Sequence, residues 1–212
     1  TKIKVIYKGI NIKEFIPKKR KKDGKVRILY VGQLIKNKGV NELLEAFKRL
    51  NSEFKNLELW LLGRSKGENL EEKIRNLSKS LPIVLKSQVD YDKLPEIYQK
   101  ADIYCHLSQD WKYLGLFKGG NDWFPYATIE AMACGLPIVA TRVGGIPEQL
   151  GNLGNVYVEQ RDVDASYKGL KKMIVDKKLQ KKIGAANRKR AEKMFDIKVQ
   201  ARKTEEVIMD MF

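Results

Sequence analysis

Short apolar runs alternate with amphipathic ones along this chain of 212 residues. The runs at 27–31, 57–62, 83–86, 103–107, 137–141 and 156–158 are rich in Val, Ile and Leu, with little alternation between polar and apolar positions. That is the pattern of strands buried on both faces. Between them the period lengthens. Leu43, Leu44, Phe47 and Leu50 share one face of a helix near 41–50, and Leu70, Ile74, Leu77 and Leu81 share one near 68–81. Leu94, Ile97, Tyr98 and Ala101 mark a third helix, and 163–176, 178–194 and 197–211 read as three more. In the last of these, Val199, Ala201, Val207 and Ile208 are among the apolar positions. Alternation of strand and helix predicts the α/β class: one Rossmann-like parallel sheet of about six strands, with helices on both faces. Such sheets bind ligands beyond the carboxyl ends of their strands, so the strand-to-helix loops are the places to search for chemistry.

The first such loop holds Gly32, Gln33, Lys38 and Gly39. Gly32 allows a ligand close to the backbone, and Lys38 stands near a helix N-terminus, a pairing suited to phosphate. The spacing is neither that of a Walker loop nor that of a G-x-G-x-x-G fingerprint. A plain turn with a solvated lysine fits the same residues.

The second segment is more informative. From Phe124 to Ala140 there is one charged residue, Glu130, where the chain's average of 32% charged residues would give about five. A lone carboxylate in so apolar a stretch requires a hydrogen-bonding partner. A helix dipole is one such partner, and the neighbouring hydroxyls of a ribose are another. Pro125 suits a helix start, which leaves the amides of Tyr126, Ala127 and Thr128 free for phosphate oxygens. Asp122, with seven residues between it and Glu130, reads as a ligand or as a turn former. Gly144 and Gly145 follow the next strand and either face a ligand or make a tight turn. His106 is the sole histidine; it sits in a buried strand pattern and reads as structural.

Composition narrows the partners. The net charge is +16 and the pI about 9.7, which favours anionic ligands or surfaces. Part of that charge lies in Lys18, Lys19, Arg20, Lys21, Lys22 and Lys25. This run reads as a solvated loop or as a nucleic-acid patch, although it has no interleaved aromatics to stack on bases. A basic α/β module that binds nucleic acid without catalysis is therefore the alternative function, and it leaves Glu130 unexplained. Cys105 and Cys134 lie in apolar segments and read as two buried thiols rather than a disulfide, in keeping with a cytoplasmic location. No apolar run approaches the ~20 residues of a membrane-spanning helix. The chain opens on Thr1, so a longer protein is expected.

Four stretches taken together resemble the retaining glycosyltransferases of family 4, which have the GT-B fold. They are VIYKGINIKEF (5–15), ILYVGQLIKNKGVNELLEAF (28–47), LPEIYQKADIYCHLS (94–108) and FPYATIEAMACGLPIVATRVGGIPE (124–148). The resemblance implies that 1–212 is a single donor-binding domain, with 1–25 leading in from an acceptor-binding N-terminal domain outside this sequence and 196–212 crossing back to it. It implies a hexosyltransferase whose donor is a UDP-, GDP- or ADP-sugar, and a domain that is inactive without its partner domain. Glu130 then matches the acid that holds ribose, and Asp122 the acid that contacts the donor sugar, where the family has a glutamate. Lys38 matches the phosphate-binding lysine, and Gln33 stands at a usual arginine. Gly32, Tyr126, Ala127 and Thr128 fall at the diphosphate, and Gly63 and Val89 at the base. Asp122, Glu130 and Lys38 are the candidate catalytic residues. No metal or other cofactor is expected, because Lys38 and helix amides supply the positive charge the leaving diphosphate needs. An anionic membrane surface or a lipid-linked acceptor is a compatible further partner. The stretch 109–121 is longer than the family's usual loop.

Overall fold

The computed structural model describes residues 3–18, 23–65, 68–113, 117–120 and 122–210. The elements run β1 Val26–Val31, α1 Val40–Glu53, β2 Leu57–Leu62, α2 Glu68–Ser78, β3 Ile83–Lys86, α3 Leu94–Lys100 and β4 Ile103–His106. After these come β5 Asp110–Tyr113, β6 Phe117–Gly120, α4 Tyr126–Ala133, β7 Ile138–Thr141, α5 Ile146–Leu150, β8 Val156–Val158, α6 Val163–Val175, α7 Lys177–Met194 and α8 Ile197–Met209.

Six strands form one parallel sheet in the order β3-β2-β1-β4-β7-β8. Its two faces are both buried, residue by residue. Ile28, Tyr30, Ile103, Cys105 and Val139 pack with α1, α2 and α6. Leu29, Tyr104, Ile138 and Ala140, one position out of phase, pack with α3, α4 and the leading residues Ile10, Ile12 and Phe15. This two-sided burial is why the strands read as continuous apolar runs. Asp162, Asp176 and Asp196 each accept a hydrogen bond from an amide in the first turn of α6, α7 and α8 respectively, which starts those helices.

The sequence placed three of these strands to the residue and the other three to within one. β7 begins at Ile138 rather than Pro137, because proline has no N–H for the ladder. The Pro137 carbonyl still accepts from Tyr104 N at 3.0 Å. The stretch after Gln109 contains an antiparallel hairpin that was not expected, with Tyr113 paired to Phe117, and the Gly144-Gly145 turn leads into the short helix α5. Asp110 anchors the hairpin to Gln160, through Asp110 N to Gln160 Oε1 at 2.7 Å and Gln160 Nε2 to Asp110 Oδ2 at 3.1 Å.

α8 buries no residue; Ile197, Ile208 and Met209 are exposed on it. It is held to the leading segment by Ile197 N to Ile10 O at 2.9 Å and Gly9 N to Gln200 Oε1 at 2.6 Å. Among the described residues no helix is long and apolar enough to cross a membrane. Both cysteines are free and buried. The basic run falls partly at 19–22, outside the described residues.

The strand order reverses between β1 and β4, since β2 and β3 extend the sheet one way and β4, β7 and β8 the other. A crevice at the carboxyl ends of β1 and β4 follows from that reversal.

Candidate functional site

Three features converge on this edge of the sheet. A cavity of about 570 Å³ lies over the ends of β1, β2 and β3, and its wall includes Gly32, Gln33, Gly63 and Val89. Gly63 is required there: with φ +144° it adopts a backbone that side chains disfavour, and a Cβ would stand 1.8 Å from the Gly32 carbonyl oxygen. Arg64 and Gln88 also line the cavity, joined by Arg64 Nη2 to Gln88 Oε1 at 2.6 Å. Sequence reasoning did not single out this polar pair.

The second feature is a buried polar cluster in the crevice. Lys38, from the turn after β1, places its ammonium 2.6 Å from Asp122 Oδ1. His106, the last residue of β4, places Nε2 2.9 Å from Asp122 Oδ2, and the Ser108 hydroxyl donates to the same oxygen. Lys38, His106, Ser108 and Asp122 are all buried. Burial alone would raise the Asp122 carboxyl, but hydrogen bonds from His106, Lys38 and Ser108 hold it well below the usual carboxylate range. On the far side of the ring, the Tyr104 hydroxyl lies 3.1 Å from His106 Nδ1. An ionised carboxylate only accepts, so Nε2 carries a proton.

The sequence reading kept Lys38 and Asp122 apart, as phosphate ligand and sugar ligand; the structure pairs them. His106 reads from the sequence as structural, and the structure puts its ring against Asp122. Two signals pointed there: His106 is the sole histidine, and it stands at a strand's carboxyl end.

The loop carrying Asp122 is held from below. Gly145 N donates to Asp122 O at 3.2 Å, and Gln149 Nε2 donates to Pro125 O at 2.9 Å. A Cβ on Gly144, whose φ is +53°, would meet Asp122 O at 2.0 Å. The two glycines thus make a tight turn that fits beneath the acid's backbone.

The third feature is α4 itself. It opens after Pro125 without a side-chain cap, so the amides of Tyr126, Ala127 and Thr128 have no partner within the helix. The Thr128 hydroxyl is buried with no partner among the described residues. Glu130, 4% exposed, accepts from the Tyr98 hydroxyl at 2.8 Å. Burial pushes its carboxyl up to about 6, against a smaller lowering by Tyr98. Neither acid belongs to the cavity wall. α3 joins the two places, since Leu94 lines the cavity and Tyr98, one turn on, holds Glu130.

The sequence does hold two Asp-x-Asp triplets, 162–164 and 90–92, the second between Val89 and Leu94 of the cavity wall. Asp162 caps α6, and Asp164 pairs with Arg49. Asp90 and Asp92 flank Tyr91 just before α3. Among the described residues no three His, Cys, Asp or Glu side chains gather as metal ligands.

Comparison with known proteins agrees with the fold. The C-terminal domain of a glycosyl transferase group 1 family protein (LpcC) from Francisella tularensis superposes with a TM-score of 0.74 at 21% identity, over 89% of this chain and all of that one. The Anabaena protein HepE, solved in complex with UDP-glucose, gives 0.77 at 19% identity, over 98% of this chain and 57% of that one. The capsular polysaccharide biosynthesis glycosyltransferase CapM of Staphylococcus aureus is 29% identical over 172 residues, 80% of this chain and 42% of CapM. The chain thus spans less than half the length of the curated relatives it matches. Residues 11–190 match the family described as glycosyl transferases group 1, and the chain belongs to that family.

Proposed function

We propose that this chain is the donor-binding domain of a family 4 glycosyltransferase that moves a hexose-type sugar from a nucleoside-diphosphate sugar with retention of configuration. The reading rests on Glu130, a carboxylate buried beside an uncapped helix start and kept only partly satisfied by Tyr98. A ribose diol supplies the two donors such a group lacks. The α4 amides and Lys38 then receive the diphosphate, and their positive charge opposes the negative charge that grows as the glycosidic bond breaks. Asp122 receives hydroxyls of the donor sugar, and the cavity past Gly63 and Val89 receives the base. The leaving phosphate helps deprotonate the acceptor. No metal takes part in this scheme, and the acceptor is held by a further domain. Relatives support the donor class, since HepE is known with UDP and with UDP-glucose. The net charge of +16 suits an acceptor on an anionic membrane surface, which co-sedimentation with anionic vesicles tests.

The deciding experiment is thermal denaturation with UDP, GDP and ADP. One of them raises the melting temperature, and Glu130→Ala abolishes the rise. No rise with any of the three at millimolar concentration overturns the reading.

A further inference from the structure

We propose that His106 is the positioning residue for Asp122, and that it takes up a proton when a nucleoside-diphosphate sugar draws Lys38 off that carboxylate. This rests on the donor-binding reading above and assigns His106 a part in it.

Asp122 is a buried acid with a cation on one oxygen and an imidazole on the other: Lys38 Nζ at 2.6 Å and His106 Nε2 at 2.9 Å. On the proposed reading Lys38 is also the cation that receives the diphosphate at the start of α4. Moving its ammonium toward phosphate leaves Asp122 short of positive charge in a dry place, which is costly unless another cation replaces it. His106 is already hydrogen-bonded to the same carboxylate, and its second ring nitrogen is a base that can accept a proton.

The far side of the ring is built to allow it. As a neutral ring, His106 accepts the Tyr104 hydroxyl at Nδ1, 3.1 Å away. The Val31 carbonyl oxygen lies 3.4 Å from the same hydroxyl. A proton taken from solvent by Nδ1 turns that nitrogen into a donor. The Tyr104 O–H then swings toward Val31 O and offers its lone pair to Nδ1–H. No other bond forms or breaks. Burial holds the Tyr104 and Tyr30 hydroxyls far above their ordinary values, so neither gives up its own proton. The groups facing His106 are Tyr30 on β1, its ring stacked at 6.5 Å, Tyr104 on β4, Ser108 beyond β4, and Asp122 with Lys38 behind it.

The test is calorimetric titration at pH 7.5 in buffers of different ionisation enthalpy. The probes are UDP-glucose, GDP-mannose and ADP-glucose, whose diphosphate diesters have no proton titrating near neutrality. At this pH Glu130, at about 6, is already ionised and contributes no proton change. The expected result is a heat of binding that varies with buffer in the sense of net proton uptake, and an affinity that falls from pH 7.5 to 8.5. His106→Gln keeps a donor for Asp122 but cannot charge: it binds within tenfold of wild type, with no buffer dependence and a flat pH profile. Buffer-independent heats in the wild type overturn the proposal and leave the donor reading standing, as does proton uptake that survives in His106→Gln. Failure of all three sugar nucleotides to bind overturns both. Should His106→Gln not fold, Lys38→Met serves in its place: with no ammonium to move, its binding carries no proton uptake, and a wild-type slope there overturns the proposal.

Discussion

Asp122 and Glu130 are buried acids on one edge of the sheet, and the protein treats them in opposite ways. Around Asp122 it gathers a lysine, a histidine and a hydroxyl, and the carboxyl is held low. Around Glu130 it gathers apolar side chains and the Tyr98 hydroxyl, and the carboxyl is pushed up to about 6. The first acid is held by three protein groups, so on the proposed reading a donor sugar reaches it by exchange with one of them. The second is left with unspent hydrogen-bonding capacity, which is what a ligand's hydroxyls can use.

The sharpest way to break this contrast is Asp122→Ala, which removes the carboxylate from the buried Lys38 ion pair. It is expected to cost about 3–5 kcal/mol of stability, measured by urea denaturation. Next is Gly144→Ala, whose new methyl has φ +53° to contend with and Asp122 O in its way. Left-handed strain and overpacking together cost about 3 kcal/mol, and the same assay reads it.

Glu130→Gln comes third and differs in kind. For wild-type Glu130 the folded value lies above the ordinary 4.5, so its stabilising protonated form is fully present below about 4.5 and lost as pH rises through about 6. The difference corresponds to about 2 kcal/mol. The variant removes that decline between pH 4.5 and 6.5, is no less stable than wild type at pH 7.5, and loses the nucleotide-induced rise in melting temperature. Asp122 runs the other way: its contribution is present above its ordinary value and is lost as pH falls. A wild type whose stability is flat between pH 4.5 and 6.5 would erase the distinction between the two acids. The smallest effect is Lys38→Ala, which leaves His106 and Ser108 on Asp122. It weakens a nucleoside diphosphate roughly tenfold, about 1.4 kcal/mol, and the bare nucleoside much less, as read by competitive titration.

The sheet was legible because its central strands are buried on both faces, so Val26–Val31, Ile103–His106 and Ile138–Thr141 stand out as apolar runs against a charged background. Glu130 was legible for the same reason, as one charge where none belonged. What could not be read locally was pairing over distance. Lys38 and Asp122 are 84 residues apart, and the sheet's reversal between β1 and β4 is what brings them together. The β5–β6 hairpin was not legible because its strands, DWKY and FKGG, mix charged residues and glycines and form no apolar run.

Helix α3 touches the cavity with Leu94 and Glu130 with Tyr98, four residues later, a fixed interval of about 6 Å along its axis. On the proposed reading it is a gauge. A nucleotide whose base and sugar ring are spaced to that interval registers at both ends, while a compound with a longer or shorter tether between the same two parts can satisfy only one.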